Sequence, residues 1–341
     1  CDAYGSGWFY IPGTETCLKF DGDVRVQYEV AHFHDDNRVT DETSLHDADY
    51  RARLNVRANN ETEYGTLASR FRFSASGGAG TGVAAGGGHH DTLSRNEGPG
   101  SAGVGVDWAV ISLAGFRVGY SDSYWATAGG YGFYQARYDG PYNFRSGLYL
   151  DYTYAANGWT FTVGIEDGNT SGEAGAPDLY AGVTYSGSGW YMAGIYYHDS
   201  SAGNGAWKFR ADYDFGSGFK VGGWYASDNG DTDYVKGHIW GVTAQYRLTD
   251  NMILFGGYGA HEDNYFDNNN VCGAGTVNAD CGNNRSFETW TVGLAWNIVP
   301  GLLIQPEYQA VSYTNDTIAG NGTNGIVGNY GQFSLRIVRS F

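Results

Sequence analysis

Residues 16 to 30 read TCLKFDGDVRVQYEV, and their side chains alternate in polarity. The odd positions between residues 19 and 29 are charged or polar. The even positions are apolar or small: Leu18, Phe20, Gly22, Val24, Val26, Tyr28 and Val30. Successive side chains of a β-strand point to opposite faces, so this stretch predicts a strand with one apolar face and one wet face. Residues 48 to 59, ADYRARLNVRAN, repeat the pattern, and no helical period fits either stretch.

The same pattern along the whole chain predicts sixteen strands. They lie near residues 16–30, 48–59, 65–76, 102–113, 115–121, 141–155, 159–166, 178–185, 190–198, 207–213, 219–225, 238–246, 252–261, 287–296, 302–313 and 326–341. No apolar run approaches the roughly 18 residues that a membrane-spanning helix needs. An even number of alternating strands is instead typical of a single-chain barrel of the bacterial outer membrane.

The connections between these strands alternate between short and long. The short ones are residues 60–64, 114, 156–158, 186–189, 214–218, 247–251 and 297–301. The long ones are residues 31–46, 77–101, 122–140, 167–177, 199–206, 226–237, 262–286 and 314–325. Outer-membrane barrels have short periplasmic turns and longer extracellular loops. We therefore predict one all-β domain over residues 1–341, a 16-stranded antiparallel transmembrane barrel of the outer membrane.

Composition supports this class of protein. The chain has 28 Tyr, 17 Phe, 10 Trp and 54 Gly, and its 20 basic against 37 acidic residues give a net charge of −17. That charge argues against a nucleic-acid partner, which needs a basic face. Aromatic residues near the predicted strand ends favour a membrane interface over an ordinary β-core: Trp8, Phe9, Tyr10, Tyr152, Tyr154, Tyr196, Tyr197, Trp207, Trp296 and Tyr313. The terminal Phe341 fits an outer-membrane assembly signal.

The four cysteines fall into two close pairs, Cys1 with Cys17 and Cys272 with Cys281. An even number of paired cysteines indicates an oxidising compartment. Cys1 has an alternative interpretation as an acylated lipoprotein cysteine. A disulfide between Cys272 and Cys281 would stiffen the longest extracellular connection.

The N-terminal residues CDAYG (1–5) and FYIPGTETCL (9–18), continued by residues 19–25, resemble the opening of the general porins of alphaproteobacterial outer membranes. The resemblance implies a trimeric, water-filled channel whose third long loop, residues 122–140, folds inward to narrow the pore. It also implies a periplasmic segment over residues 1–15 and favours a disulfide between Cys1 and Cys17. The partners would be outer-membrane lipid and lipopolysaccharide, with ions and small hydrophilic solutes passing through.

Sixteen strands enclose a lumen too wide for side chains to fill, so it must hold water and present polar residues. Strand midpoints place Arg25, Arg53 and Arg70 at one depth, with Arg51 and Arg72 one pleat away. Arginine stays charged at any relevant pH, so these five would form a fixed basic wall. The alternative is that they pair with lumen carboxylates to hold the barrel round, and both roles are compatible.

We hypothesise that the pore constriction lies between this wall and the acids of the third loop, Asp122 and Asp139. Further lumen-facing charges are expected at Arg57, Arg145, Asp151, Lys208, Arg210, Asp212, Glu307 and Arg336. A transverse field between opposite charges would orient dipolar solutes and sort ions weakly. Most of the excess acid lies in the long loops, so we expect a slight preference for cations.

No cofactor and no resident metal are expected. Asp228, Asp231 and Asp233 have oxygen ligands that a loop-bound Ca²⁺ could use, but the run lacks a complete calcium loop and a solvated loop is favoured. Histidines 32, 34, 89 and 90 lie in two loops without the three or four fixed ligands of a zinc site. The Gly-rich residues 77–88 lack the strand and helix of a dinucleotide site. No catalytic constellation stands out, so we do not expect an enzyme.

Two alternative functions remain at the level of sequence. A sugar-selective channel would line its lumen with a track of aromatic rings, whereas the inward Tyr149, Tyr180 and Trp224 are scattered. A plugged barrel acting as an adhesin or structural protein would bind through its loops, of which the Asn-rich residues 264–284 are the best candidate. Conductance distinguishes the channel from the plugged barrel.

Overall fold

The computed structural model describes residues 1–33, 44–78, 104–142, 144–167, 176–230, 232, 234–235, 237–262, 286–313 and 329–341. A short 3-10 helix spans Asp2–Tyr4, and one α-helix, α1, spans Tyr124–Thr127. The strands are β1 (Phe9–Tyr10), β2 (Cys17–Phe33), β3 (Ser44–Thr62), β4 (Gly65–Gly78), β5 (Val104–Leu113), β6 (Phe116–Asp122), β7 (Ser146–Ala156), β8 (Trp159–Asp167), β9 (Asp178–Gly187), β10 (Trp190–Asp199), β11 (Asn204–Asp214), β12 (Phe219–Asp228), β13 (His238–Thr249), β14 (Met252–Glu262), β15 (Phe287–Val299), β16 (Leu302–Tyr313) and β17 (Tyr330–Ser340).

Within these described residues, β2 to β17 form a closed antiparallel ring. Each strand pairs with the next in sequence, and β17 returns to pair with β2 from Tyr330 opposite Phe33 to Ser340 opposite Asp23. The predicted 16-stranded barrel is therefore confirmed, with β1 as an additional short strand. The strand expected at 141–155 begins only at Ser146, because the residues before it belong to a loop inside the barrel.

The two faces of each strand separate as the alternation predicts. On β2, Val24 and Val26 are 47% and 53% exposed on the outer face, while the intervening Arg25 is 1% exposed inside. Apolar side chains outside and charged ones inside match a hydrocarbon exterior and an aqueous lumen. None of the described residues forms a helix long and apolar enough to cross a bilayer.

The aromatic residues near strand ends do not all face outward. Tyr196 is 49% exposed on the outer face of β10, whereas its neighbour Tyr197 is fully buried in the interior. Adjacent residues of a strand point to opposite sides, so Tyr196 and Tyr197 cannot both belong to an interfacial belt. Tyr197 instead packs against Trp125 of α1 with ring centroids 5.8 Å apart.

Several periplasmic connections are two-residue turns with positive φ at both positions. They are Ala114–Gly115, Asn157–Gly158 and Ser188–Gly189, whose first residues have φ of 52°, 53° and 52°. Turns with two positive φ values match the right-handed twist of antiparallel strands and fix the register of the hairpin. On the side of the barrel where short connections were predicted, these three connections are thus tight two-residue turns.

The N-terminal segment is attached to β2 below the last strand of the ring. Because β17 ends opposite Asp23, the first residues of β2 have no partner on that side. Strand β1 lies along this otherwise unpaired edge of β2, pairing Phe9 with Leu18 and Tyr10 with Cys17. The predicted Cys1–Cys17 disulfide is present, with Cα atoms 5.5 Å apart, and ties the start of the chain to the same strand. Cys272 and Cys281 lie outside the described residues.

The last residue closes the seam of the barrel. Phe341 and Gly22 exchange two backbone hydrogen bonds of 3.1 Å, one from each N–H to the other's carbonyl. A Cβ added at Gly22 would lie 2.8 Å from the ring of Phe341 and would also collide with the backbone carbonyl of Arg53. Glycine at this position therefore lets the terminal ring and the neighbouring strand approach β2 together.

We expect Gly22→Ala to impair barrel closure, because the added methyl group meets backbone on one side and the terminal ring on the other. Overpacking of this kind costs about 1–3 kcal/mol. The measurement is the heat-modifiable gel migration of protein refolded in detergent, at increasing urea. Gly105→Ala is the matched control, since a Cβ at Gly105 meets nothing within 4 Å. Equal urea resistance of the two variants would contradict the seam assignment.

Candidate pore constriction

The loop between β6 and β7, residues 123 to 145, lies inside the barrel. Tyr134 donates through its hydroxyl to the carbonyl of Val221 on β12 (2.6 Å), and its N–H donates to Oγ1 of Thr243 on β13 (3.3 Å). Trp224 of β12 donates through Nε1 to the carbonyl of Pro141 (2.9 Å). The inward-folded third loop is therefore confirmed, and it extends five residues beyond the predicted limit at residue 140.

Two hydrogen bonds of the Ser123 side chain fix the start of the loop. Its Oγ accepts the N–H of Trp125 (3.1 Å), which caps α1, and donates to the Glu166 carboxylate on β8 (2.9 Å). Side-chain oxygens at this position satisfy the free N–H groups of a helix start. Trp125 then packs between Tyr197 and Tyr234. The entry of the loop is thus held against β8 and β10 by one serine and one aromatic cluster.

The buried side chain of Lys208 holds the loop at three backbone carbonyls. Nζ of Lys208, on β11, donates to the carbonyls of Trp125 (3.3 Å), Gly130 (3.0 Å) and Tyr142 (3.4 Å). Lys208 is fully buried. Its neighbour Arg210 donates to the carbonyl of Tyr131 and to the Asp212 carboxylate. Charged donors on carbonyls make stronger bonds than neutral ones, so β11 carries one of the two main anchors of the loop.

A buried carboxylate holds the second half. Glu307, on β16, accepts the backbone N–H groups of Arg137 (2.6 Å) and Tyr138 (2.8 Å) and is 1% exposed. Gln305, one pleat away, donates to the carbonyl of Gln135 (2.7 Å) and to Glu307 (3.0 Å). Lys208 and Glu307 thus both hold the loop through its backbone, in addition to the side-chain bonds that Ser123 and Tyr134 make to the wall.

The inward aromatic residues pack against the loop. Trp224 lies 5.6 Å from Phe133, and Tyr180 stacks between Tyr124 of α1 (5.4 Å) and Tyr197 (4.8 Å). Tyr149 lies behind Arg117. These rings fill the space between loop and wall, so they do not form a continuous stacking surface along the described lumen.

The remaining free side of the lumen contains a cavity of about 350 Å³, here called the basic cavity. Four of the five predicted wall arginines line it, as do both predicted acids of the loop. Its lining charges are Arg25, Arg51, Arg53, Arg72, Arg137, Arg336, Asp122 and Asp139, together with the rings of Trp108 and Tyr131. The structure therefore brings the two halves of the predicted site into one space.

Arg70, the fifth arginine of the predicted wall, does not line the basic cavity. It faces Arg57 across β3 and β4, whereas Arg53 faces Ser74. The expectation that Arg53 and Arg70 share one depth is wrong, because the tight turn that pairs Thr62 with Gly65 sets the register and not the strand midpoints. The guanidinium of Arg70 lies 4.1 Å from the centroid of Trp108.

The cavity arginines also pair with carboxylates. Arg72 lies 2.7 Å and Arg53 3.6 Å from Asp107, and Arg137 lies 2.8 Å from Glu29. The remaining pairs are Arg51 with Asp23 (3.4 Å) and Arg25 with Asp49 (3.8 Å). Arg336 donates to Gln27 (2.9 Å). The alternative role of these arginines in bracing the wall is thus present together with their position on the cavity.

Hydrogen bonds orient the two acids of the loop. Asp122 accepts from Trp108 Nε1 (3.1 Å) and from the hydroxyl of Tyr131 (2.6 Å), and Asp139 accepts from Tyr142 (3.1 Å). Burial and the neighbouring Asp122 carboxylate raise the pKa of Tyr131 above its ordinary value. Tyr131 therefore remains a neutral donor to Asp122.

The other expected lumen charges all occur on inward positions, mostly in pairs. Asp151 accepts from Arg117 (2.9 Å), and Arg57 lies 2.9 Å from Asp21. Arg145 lies 4.3 Å from the ring centroid of Tyr234. Sequence reasoning missed Asp23, Asp49, Asp107, Arg117 and Arg137. The inward position of Asp23 and Asp49 was predictable, because each lies two residues from an arginine of the wall, Arg25 or Arg51, on the same strand face. Arg137 was not predictable in this way, since it lies in a loop without periodic alternation.

The calcium hypothesis stays a prediction. The Asp228 carboxylate accepts the N–H (3.1 Å) and hydroxyl (3.0 Å) of Thr232 and the N–H of Gly237 (3.3 Å). Asp231 and Asp233 lie outside the described residues, as do His34, His89 and His90. Over the described ranges, no group of three or more potential metal ligands occurs.

Comparison with known proteins identifies relatives over nearly the whole chain. A family model described as Porin subfamily matches residues 1–332. Porin Omp2b of Brucella suis and Porin Omp2b of Brucella abortus are each 31% identical over 358 aligned positions, covering 96% of this chain and 88% of theirs.

Solved structures share the fold at lower identity. The outer membrane channel DcaP of Acinetobacter baumannii superposes with a TM-score of 0.62 at 13% identity, covering 97% of this chain and 99% of its own. OmpT of Vibrio cholerae, an outer membrane protein solved in a trimer form, gives 0.60 at 14% identity, covering 96% and 100%. Taken with the closed barrel and its inward loop, the family match and the Brucella relatives show that this chain belongs to the porin family and is a multi-pass β-barrel channel of the bacterial outer membrane.

Proposed function

We propose that this porin is a passive diffusion channel for ions and small hydrophilic solutes, with the basic cavity as its narrowest point. One observation carries the proposal: the loop is fastened to the wall from β8 to β16, and the predicted acids and arginines meet across the space it leaves. A solute crossing the barrel on this side passes between two acids, Asp122 of β6 and Asp139 of the loop, and the arginines of the wall. Its size and charge then decide its rate of passage.

We further propose that the channel is only weakly charge-selective. Six guanidinium groups line the basic cavity, opposed by Asp122 at the end of β6, by Asp139 on the loop, and by Asp23, Asp49, Asp107 and Glu29 behind the arginines. Six positive and six negative charges leave little net charge, but they are separated in space. Such an arrangement gives a transverse field with a weak overall preference. The acidic loops, which lie mostly outside the described residues, then favour cations slightly.

Neutralising two cavity arginines tests this assignment. In Arg53→Gln with Arg72→Gln, Asp107 loses both of its cationic partners, and we expect the ratio of K⁺ to Cl⁻ permeability to rise by about twofold. The measurement is the reversal potential of single channels in a planar bilayer under a KCl gradient.

Arg247→Gln with Arg339→Gln is the matched control for the wall variant. It removes the same charge at exposed positions next to the periplasmic turns, away from the basic cavity. An equal shift in both double variants would show that only the total charge matters, and the constriction assignment would be wrong.

Removing an anchor of the loop tests whether the loop sets the conductance. Glu307→Gln replaces one of the two carboxyl oxygens, each of which accepts a loop N–H group, by an amide NH₂ that cannot accept, which weakens anchoring by about 1–3 kcal/mol. We expect a broader distribution of single-channel conductance and more frequent partial closures, with heat-modifiable gel migration retained. Glu288→Gln, an exposed glutamate near the extracellular end of β15, is the control. Identical current traces for both variants would contradict a constriction held by Glu307.

We propose that the functional assembly is a homotrimer embedded in outer-membrane lipid and lipopolysaccharide. The trimer form of the structurally similar OmpT supports this state, as does the resemblance of residues 1–25 to trimeric general porins. Three equal conductance steps for each insertion event in a planar bilayer are the expected signature. Single, independent steps from fully folded protein would contradict the trimer.

A further inference from the structure

A second cavity lies on the periplasmic side of the inward loop, here called the hydroxyl pocket. It has a volume of about 510 Å³ and is bounded by the turn Ala114–Gly115, by α1 and by the inner faces of β4 to β10. Its lining differs in kind from that of the basic cavity. Nine hydroxyl-bearing residues of the barrel wall and the loop face it: Thr66, Ser112, Thr127, Thr153, Thr160, Thr162, Thr184, Tyr124 and Tyr191.

Some of these hydroxyls already have partners. Thr153 and Thr162 bond each other (2.9 Å), Thr127 donates to the carbonyl of Ser123 (3.1 Å), and Tyr191 donates to the carbonyl of Ala128 (2.5 Å). These bonds fix the loop and the wall of the pocket. Thr66 also donates to the Glu61 carboxylate (2.9 Å), so the hydroxyls of Ser112, Thr160 and Thr184 are the groups that a solute would meet.

Three half-buried hydroxyls, those of Ser112, Thr160 and Thr184, make no hydrogen bond within the described part of the protein. Thr160 and Thr184 are direct cross-strand partners on β8 and β9, so their side chains stand next to each other on the inner wall. A hydroxyl both donates and accepts. The pocket therefore offers donor and acceptor groups at fixed positions on rigid strands.

The pocket contains one charged residue, and that charge is neutralised. Arg117 donates from Nε to Oδ1 of Asp151 (2.9 Å) and from Nη2 to Oδ2 (2.5 Å). A two-point pair between a guanidinium and a carboxylate satisfies both groups. Unlike the basic cavity, the hydroxyl pocket presents little net charge that would attract an ion. Its chemistry therefore favours an uncharged solute.

Two tyrosine rings complete the lining. Tyr124 is held in place by stacking on Tyr180 (5.4 Å), and Tyr191 is held through its hydroxyl bond to α1. Aromatic rings provide rigid apolar surface next to the hydrogen-bonding groups. Apolar surface combined with a few fixed polar groups, in a cavity of this size, is the usual composition of a small-molecule site.

We propose that the hydroxyl pocket is a weak binding site for neutral polyhydroxyl solutes of mono- or disaccharide size, located below the constriction. Such a solute has hydroxyls that both donate and accept, and C–H faces that pack on tyrosine rings. The inference rests on the proposed diffusion function, since the solute reaches the pocket through the pore. It adds a preference among uncharged solutes that the basic cavity does not provide.

The experiment measures the reduction of KCl conductance by sucrose in single channels of the full-length porin. We expect saturable block by sucrose in the wild type. In the triple variant Ser112→Ala, Thr160→Val, Thr184→Val, the sucrose concentration for half-block should rise roughly tenfold or more, because three hydrogen-bonding groups are lost. The KCl conductance and reversal potential of the variant should remain those of the wild type, because none of the three residues lines the basic cavity.

Two controls make the result specific. Thr291→Val removes a buried inward hydroxyl of β15 outside the pocket and should leave the sucrose block unchanged. Polyethylene glycol of similar size, whose ether oxygens only accept, should lower conductance without saturation and equally in all variants. Sucrose block that does not saturate, or that is the same in the triple variant, would overturn the hydroxyl pocket while leaving the pore intact. Absence of any KCl conductance would instead overturn the diffusion function itself.

Discussion

The pairing of β17 with β2 is the interaction on which the rest of this structure depends. In a bilayer no water is present to satisfy an open sheet edge, so a chain of strands is stable only when the last one pairs with the first. Here the last residue itself completes the seam, through two backbone bonds between Phe341 and Gly22. Strand β1 and the Cys1–Cys17 disulfide then cover the short part of β2 that the last strand does not reach.

Closure of sixteen strands creates the next physical problem, which is an interior too wide for side chains alone to fill. The third loop solves it by crossing the lumen, and its backbone polar groups need partners there. Lys208 donates to three loop carbonyls, and Glu307 accepts two loop N–H groups. Because these partners are on strands that the barrel holds rigid, the loop can narrow the lumen with few contacts of its own.

The channel that remains has two chemically distinct spaces on either side of the loop. The basic cavity combines fixed arginines with opposing acids, whereas the hydroxyl pocket is almost free of net charge. Under the proposed function, a solute that passes both is first sorted by its charges and then by its hydroxyl groups. This order follows from the path of one loop, since Asp122 lies at its start, Asp139 near its end, and α1 forms the roof of the lower space.

The sequence by itself determined the barrel, because alternation with period two is a local property that each strand carries independently. It specified sixteen strands, the side with short turns, and the inward direction of every arginine assigned to the wall. It did not determine depth, since the register of a hairpin depends on its turn, and so Arg70 faces Arg57 and not the cavity. Nor did it reveal Arg137, the pairing of Arg53 and Arg72 with Asp107, or the hydroxyl pocket. These arise where an aperiodic loop meets distant strands, and only the tertiary structure decides such contacts.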